Sequence, residues 1–380
     1  MYLNPQSRVI LNDYETDYFD CPVGVKQGDC IYAILFAIFI NDLATEIKES
    51  GIGINLNDTL NNDGVNPDYN CNDNNINFVN ILLYADDIVL MTANENDLQL
   101  LLIIVENWCR RWRLEVNLTK TNIMHVRPKR KPQSQFMFLF NLRPVDYCSS
   151  YKYLGTTINQ HLEYNLIAQT LSESAGRALS SIFTKLIKNG GFPYNVFTTL
   201  FDCCVSSISQ YSSEIWGFQQ YEPTLKIHLR AARFFLGLPK TASIPAILAQ
   251  IDWLEPVFCT QMKMIRQYHR LGKMDDTRLA KSILVWDKTF YNIHKLTTWS
   301  SEVKSIFQQF NMQYFSENLD LFPLKETIKS LKNQMKIKQC TDLKLKCQAM
   351  PKLRSYIKFK DFNKHLHFCS NPCHSYKGKN

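Results

Sequence analysis

Apolar positions in the first third of the chain switch between helical and strand-like spacing. The uninterrupted apolar run IYAILFAIFI at 31–40 belongs to a long apolar-faced segment after a possible N-cap at Asp29, and predicts a helix from about Cys30 to Ser50. This run is about half as long as a bilayer span, so we expect a buried helix of a globular core. Residues 79–92 predict a strand, a tight turn and a second strand, and residues 97–113 predict another helix.

Short apolar runs and then a long helical pattern fill the rest of the chain. Short strands are predicted at 121–127, 136–140 and 151–158. The spacing is mostly helical from about 160 to 310. The predicted fold class is therefore α+β, an antiparallel sheet with helices followed by an all-helical region. The predicted domains are residues 1–160, 161–310 and a C-terminal region, 311–380.

Composition adds a cellular setting to this picture. The chain has 380 residues, of which 45% are hydrophobic and 21% charged, as is typical of globular proteins. Its first residues lack a charged-then-apolar signal pattern. Twelve cysteines without such a signal favour reduced thiols. We therefore expect an intracellular protein, in the cytoplasm or nucleus, that is not secreted and has no membrane partner.

Charge is distributed unevenly along the chain. The net charge is +8, but the segment from Lys325 to the end carries +11, which leaves about −3 on residues 1–324. A basic tail on a nearly neutral body favours a polyanionic partner. A solvated tail that only improves solubility explains the charge equally well.

Two adjacent acids interrupt the apolar pattern of residues 79–92. Asp86 and Asp87 lie in NILLYADDIVLMT, where the flanking runs predict buried strands and the acids occupy the tip of a hairpin. Aspartate is a good turn former, so an ordinary acidic turn is one interpretation. The other is a hard-cation site, because carboxylates bind Mg²⁺ and leave positions for phosphate oxygens.

Other segments supply parts that suit phosphate chemistry. In VGVKQGD, Gly28 permits a close approach to the backbone, and the Gln27 amide both donates and accepts hydrogen bonds. Lys120, in NLTKTNIM, lies at a helix-to-strand junction suited to a phosphate. YKYLGTTI, at 151–158, adds an aromatic strand and a glycine corner.

In this order the motifs resemble the reverse transcriptase domain of non-LTR (LINE-type) retrotransposons. GVKQGD with LFAIFINDL resembles the family's template- and nucleotide-positioning motif, YADD its catalytic hairpin, and YKYLGTTI its primer grip. SEIWGF and RFFLGLPKTAS resemble the helical thumb and the region beyond it. The resemblance covers about residues 12–360 and implies a polymerase palm followed by a thumb-like helical region.

The resemblance implies a role for each motif residue. Asp86 and Asp87 would be metal ligands for Mg²⁺, or Mn²⁺, and Lys120 would assist the departing pyrophosphate. The implied nucleotide- and template-binding residues are Gln27, Gly28, Tyr84 and Ala85, and the primer grip is Tyr153, Leu154 and Gly155. The implied partners are an RNA template, a DNA primer and deoxynucleoside triphosphates, and the implied activity is RNA-directed DNA polymerisation.

The sequence departs from the family in one important respect. Family members carry a third catalytic carboxylate upstream of the GVKQGD motif, but only 22 residues precede Val23 here. We therefore expect an N-terminally truncated domain that does not polymerise DNA alone. A non-catalytic nucleic-acid-binding remnant is the alternative, and a structural or interaction protein that reuses the palm is a third interpretation.

Basic and metal-ligating residues outside these motifs support weaker hypotheses. A basic loop at 127–131 predicts contacts of Arg127, Lys129, Arg130 and Lys131 with a nucleic-acid backbone. Arg110, Arg111 and Arg113 suit either such contacts or a solvated helix face. Trp108 and Trp112 are expected in the core rather than as a base-stacking platform.

The C-terminal region contains residue types that bind zinc. The spacing of these cysteines and histidines matches no closed zinc site, so zinc is not expected. They are Cys340, Cys347, His365, His367, Cys369, Cys373 and His374.

Overall fold

The computed structural model describes residues 6–21, 31–56, 78–317 and 322–362. Helices dominate this part of the chain, and the strands pair in short antiparallel ribbons. The predicted α+β class is confirmed. Gln27, Gly28 and the five Cys and His positions beyond residue 362 lie outside the described residues.

The strands of the described residues form six two-stranded ribbons rather than one continuous sheet. The pairs are β1 (Gln6–Ser7) with β4 (Phe19–Asp20), β2 (Ile10–Leu11) with β3 (Tyr14–Glu15), β5 (Ile54–Asn55) with β6 (Phe78–Val79), β7 (Ile81–Tyr84) with β8 (Asp87–Leu90), β9 (Leu139–Phe140) with β10 (Arg143–Pro144), and β11 (Ser150–Tyr153) with β12 (Thr156–Asn159).

Two of the predicted strands are shorter than expected. Residues 121–127 contribute only a parallel bridge, between Ile123 and Tyr147. Of residues 136–140, only Leu139–Phe140 is a strand. The predicted strand at 151–158 is a complete hairpin, because Leu154 and Gly155 both adopt positive φ and reverse the chain between β11 and β12.

The chain divides into two compact units. The first unit comprises Met1–Thr59, Asn77–Thr121 and Phe136–Val145. It contains α1 (Tyr32–Glu49) and α2 (Glu95–Trp112).

Both helices of the first unit begin and end close to the predicted positions. The Asn94 side chain accepts a hydrogen bond from the Asp97 backbone N–H and caps the start of α2. Arg113 ends α2 in the left-handed conformation. Phe39 of α1 packs edge-on against Trp108 and Trp112, with ring centroids 5.4 and 5.1 Å away.

The first half of α1 does not have the predicted burial. Ile34 and Ile38 are 62% and 68% exposed, whereas Ile40, Leu43 and Ile47 are buried. The expectation of a wholly buried helix is therefore wrong. The reason is that only the second half of α1 is covered within the described residues, and apolar spacing alone does not reveal which turns of a helix have a neighbour.

The second unit comprises Leu60–Ile76, Asn122–Gln135 and Asp146–Asn380, and it is mostly helical. Its helices are α3 (Tyr164–Lys188), α4 (Tyr194–Phe201), α5 (Ser207–Ser209), α6 (Ser213–Trp216), α7 (Glu222–Leu236), α8 (Ile244–Ile251), α9 (Pro256–Gly272), α10 (Leu279–His294), α11 (Trp299–Gln309), α12 (Gln313–Glu317), α13 (Leu324–Gln348) and α14 (Arg354–Phe359). A 3₁₀ turn, Pro351–Leu353, precedes α14. None of the described helices is long and apolar enough to cross a membrane.

The two largest apolar clusters among the described residues of the helical unit form its core. One surrounds Phe197, Phe201 and Trp253, whose rings stack on one another. The other surrounds Met264 and Phe307. Between α4 and α5, residues Asp202–Ser206 form a π-helical segment, so the run from Tyr194 to Ser209 is continuous but changes its winding.

Candidate active site

The paired aspartates lie at the tip of a tight hairpin, as the sequence predicts. Strands β7 and β8 pair in register from Ile81–Leu90 to Tyr84–Asp87, which leaves Ala85 and Asp86 as a two-residue turn. Ala85 has φ of 51°, a conformation that is unusual for a residue with a side chain. The local sequence therefore makes a sharp turn without the glycine that such turns prefer.

The base of this hairpin is fixed by a buried asparagine. Asn80 is 4% exposed and its amide donates to the backbone oxygens of Ile47 and Ile52, at 3.2 and 3.0 Å. The Met91 backbone N–H donates to the Asn80 backbone oxygen at 2.8 Å and extends the pairing beyond β7 and β8. One side chain thus ties the hairpin to the end of α1 and to the turn that follows it.

The tip itself is open to solvent. Tyr84 is 63% exposed, and Ala85, Asp86 and Asp87 are also exposed. The flanking strands are mostly half-buried instead of buried as predicted, because β7 and β8 belong to a two-stranded ribbon. The two carboxylates keep their hydration, so a cation would meet them from the water side.

These aspartates do not complete a metal centre by themselves. Within the described residues there is no group of three or more His, Cys, Asp or Glu side chains that could hold a metal ion. Two metal ions clamping a phosphoryl transfer need more oxygen ligands than two adjacent carboxylates provide. Asp86 and Asp87 therefore fit part of a Mg²⁺ site.

Lys120 belongs to the same compact unit and lies in a turn after α2. The Asn117 side-chain oxygen accepts from the backbone N–H and the hydroxyl of Thr119, at 3.0 and 2.7 Å. The Lys120 N–H donates to the Asn117 backbone oxygen at 3.1 Å. This closed turn fixes the backbone of an exposed lysine, in agreement with the predicted junction position.

Leu154 and Gly155 form the turn of the β11–β12 hairpin, in the second unit, and Tyr153 is the last residue of β11. The Tyr211 hydroxyl donates to the Leu154 backbone oxygen at 2.9 Å. A Cβ atom on Gly155, at φ of 83°, would lie 3.3 Å from the Tyr211 ring. The predicted primer-grip residues are thus brought together, and a tyrosine covers their turn.

In the basic loop at 127–131, the half-buried Arg127 is held by hydrogen bonds, whereas the other basic residues are exposed. Half-buried Arg127 donates to the backbone oxygens of Lys131 and His125 and to the Gln160 side chain, at 2.9, 3.1 and 2.7 Å. Lys129 forms an ion pair with Glu163 at 2.5 Å, which lowers the pKa of that carboxyl. Arg130 and Lys131 are exposed. Arg127 therefore shapes the loop, while its neighbours present positive charge.

The other basic and aromatic candidates have mixed surroundings. Arg111 binds both oxygens of Glu46, at 2.8 and 3.1 Å, and Arg110 pairs with Glu106 at 2.6 Å. Trp108 is buried as expected, whereas Trp112 is 45% exposed. Arg110 and Arg111, at the end of α2, are thus paired with acidic side chains on helix surfaces.

Two of the C-terminal residues whose types bind zinc, Cys340 and Cys347, lie in the described part of the chain. Cys340 and Cys347 are free thiols on α13, and burial raises the pKa of both. The other proposed ligands lie outside the described residues, so the expectation about zinc stays a prediction.

Asn80 and Tyr211 position the two hairpins, but neither belongs to a motif identified from the sequence. Asn80 is visible in the sequence as a polar residue inside an apolar strand, which signals a specific buried hydrogen bond. Tyr211 follows a serine-rich segment and contacts a turn 57 residues earlier. No local pattern predicts that contact.

Comparison with known families adds an independent finding. Residues 2–158 match the family model described as reverse transcriptase (RNA-dependent DNA polymerase). The matched segment contains both hairpins and Lys120, and it covers less than half of the chain. A search of curated proteins found no match. The match confirms the resemblance to reverse transcriptases for this segment.

Proposed function

We propose that this chain carries the palm of an RNA-directed DNA polymerase of the non-LTR retrotransposon type. The observation that carries the proposal is the β7–β8 hairpin, whose tip presents Asp86, in the turn, and Asp87, at the start of β8, to solvent. An acidic turn of this kind is suited to meeting a cation that accompanies a nucleotide triphosphate. The family match over residues 2–158 supports this interpretation over that of an ordinary acidic turn.

Each motif residue has a proposed role in nucleotide addition. Asp86 and Asp87 supply carboxylate oxygens to Mg²⁺, and Lys120 stabilises the negative charge of departing pyrophosphate. Gln27, Gly28, Tyr84 and Ala85 line the path of the template and the incoming deoxynucleoside triphosphate. Tyr153, Leu154 and Gly155 hold the primer end, where the cover by Tyr211 keeps the turn in one conformation.

We further propose that the chain does not extend primers by itself. Asp86 and Asp87 account for only part of the oxygen ligands that two Mg²⁺ ions need, and no third partner joins them among the described residues. Removing one essential ligand from a cooperative site abolishes most of the rate enhancement.

Primer extension tests both proposals. The purified 380-residue chain is incubated with a DNA primer on an RNA template, all four deoxynucleoside triphosphates, and Mg²⁺ or Mn²⁺. We expect no extension beyond that of an Asp86→Asn/Asp87→Asn control. Template-dependent extension that the double substitution abolishes would refute the proposed inactivity and establish the enzyme.

A non-catalytic nucleic-acid-binding remnant is the second candidate function. The exposed positive edge of the basic loop, at Arg130 and Lys131, favours it. Binding of a labelled primer–template that weakens steeply with salt, without extension, would support the remnant. A protein with a purely structural or interaction role would show neither binding nor extension.

Domain division and location follow from the same proposal. We propose that the palm ends near residue 160, that residues 161–310 serve as a thumb-like region, and that residues 311–380 form a basic extension. An intracellular location suits a polymerase that meets RNA and DNA. Expression of the chain with a C-terminal fluorescent tag would test the location.

A further inference from the structure

The basic C-terminal region contains a long helix that the core holds firmly. α13 buries one residue in every four along its length, and the Gln339 amide bonds the backbone of Trp253 and Glu255 at 2.8 and 2.9 Å. The buried positions are Thr327, Leu331, Met335, Gln339, Leu343 and Cys347. Because this side packs into the helical unit, the opposite side of the helix has a fixed orientation.

Four lysines form a stripe on the first half of α13. They are spaced by four, three and four residues, so they lie on one face, and the stripe is about 16 Å long at 1.5 Å per residue. Lys325, Lys329 and Lys332 are exposed, and Lys336 is half-buried. We call these four residues the lysine stripe.

The lysine stripe is not neutralised locally. None of its four lysines belongs to an ion pair among the described residues. Of the acids of α13, Glu326 follows Lys325 and precedes Lys329 by three residues, and Asp342 lies beyond the stripe. Burial raises the pKa of Asp202, and the charge of Lys332 opposes that shift, so Lys332 lies near a carboxyl. The stripe therefore keeps most of its positive charge.

Helix stability does not explain this arrangement. Like charges three and four residues apart repel each other on a helix surface. Lys325 also lies in the first turn of α13, where the positive end of the helix dipole disfavours cations. The spacing of the four lysines therefore costs stability that an anionic partner would recover.

We propose that the lysine stripe binds the phosphate backbone of a nucleic-acid duplex. A rigid row of four unpaired cations fits a rod that carries regularly spaced phosphates. A membrane surface fits less well, because interfacial helices insert an apolar face and the apolar face of α13 is packed in the core, with Leu331 and Met335 fully buried. Exposed Ile337 is rotated about a third of a turn from the stripe.

The experiment measures how binding depends on salt. The full chain is titrated with a fluorescein-labelled RNA–DNA hybrid of about 20 base pairs, over a series of KCl concentrations, by fluorescence anisotropy. Each lost phosphate contact lowers the slope of log K against log salt by about 0.9 for B-form DNA. Replacing all four lysines, as K325Q/K329Q/K332Q/K336Q, should therefore reduce the slope by about 3 to 4.

Two matched variants separate the stripe from overall charge. K185Q/K188Q/K240Q/K273Q removes the same charge from exposed lysines elsewhere in the helical unit and should change the slope little. K325R/K329R/K332R/K336R keeps the charge and should keep the slope. Circular dichroism should show equal helix content in all variants.

Clear outcomes would overturn the proposal. The proposal is wrong if replacing the four stripe lysines with glutamine lowers the salt slope no more than replacing the four control lysines does. It is also wrong if replacing the stripe lysines with arginine abolishes the slope. Stripe-dependent binding to phosphatidylserine vesicles together with unchanged hybrid binding would assign the stripe to membranes instead. The proposal extends the proposed function, but the two fail separately, because hybrid binding through α13 requires no primer extension.

Discussion

The two hairpins that carry candidate functional residues are built alike and anchored differently. Each has a two-residue turn, and at each a glycine with positive φ lies against a side chain from another segment. For the β7–β8 hairpin that glycine is Gly53, which faces Asn80 at the base. For the β11–β12 hairpin it is Gly155, which faces Tyr211 at the tip.

The place of the anchor decides what each tip can do. Anchoring at the base leaves the Asp86 tip in water, where its carboxylates can meet an ion. Anchoring at the tip ties the Leu154 backbone oxygen to the Tyr211 hydroxyl, so that turn is held in place. The β7–β8 hairpin therefore presents negative charge to solvent, whereas the β11–β12 hairpin offers a fixed backbone surface.

The largest effect is expected at the base of the first hairpin. In Gly53→Ala the new Cβ would lie 2.7 Å from the Asn80 Cβ and 3.1 Å from the Val79 oxygen, so the backbone must shift. We expect a loss of about 2–3 kcal/mol in the free energy of unfolding, measured with urea. Gly51→Ala also places a side chain at positive φ, at 66° rather than 154°, but has open space around it, and should lose about 1 kcal/mol. Equal losses would show that contact with Asn80 does not anchor the hairpin.

Acid should weaken the helical unit that provides Tyr211. Burial lowers the pKa of His228 to about 4, so the folded protein binds this proton less readily than the unfolded chain. Stability is thus complete above about pH 6.5 and falls as the pH drops towards 4. Between pH 7 and 5 we expect a loss of about 2 kcal/mol in urea unfolding. His228→Leu should remove this pH dependence, and an undiminished dependence would exclude His228 as its source.

A smaller effect is expected from the tyrosine that covers the second hairpin. Tyr211→Phe removes the hydrogen bond to the Leu154 oxygen and should cost about 1 kcal/mol of unfolding free energy. Tyr84→Phe is the matched control on the first hairpin, since the Tyr84 side chain is 63% exposed at its open tip. If both substitutions cost the same, the second tip is no more firmly held than the first.

The smallest effect on stability is expected at the acidic tip itself. Asp86→Asn/Asp87→Asn alters only exposed side chains, so the free energy of unfolding should stay within about 0.5 kcal/mol of the original. Thermal unfolding by circular dichroism would measure this. A decrease of more than about 1 kcal/mol in the free energy of unfolding would mean that the two carboxylates stabilise the fold.

Local patterns in the sequence predict the elements of these hairpins well. The apolar runs that flank Asp86 and Asp87 and the helical spacing of residues 97–113 both correspond to observed elements. The α2 cap at Asn94 is also a local signal, because its partner lies three residues away. Turn chemistry and periodicity act over a few residues, so a single sequence carries them.

Burial and long-range anchoring are what the sequence leaves undetermined. The apolar run at 31–40 gives no sign that Ile34 and Ile38 are exposed, because burial depends on neighbours far away in the chain. The same holds for Tyr211 and Leu154, which are 57 residues apart. The excess of lysines in α13 is evident from composition, whereas the face that they share requires the helix.

The π-helical segment at Asp202–Ser206 changes the direction in which the side chains after it point. A π turn arises when one additional residue is accommodated in an α-helix. Each α-helical residue advances the chain by about 100°. Deleting one residue of this segment would therefore rotate the residues that follow it, including Tyr211, by roughly that angle about the helix axis. The Tyr211 hydroxyl would then no longer reach the Leu154 backbone oxygen, although no residue near Leu154 had been changed.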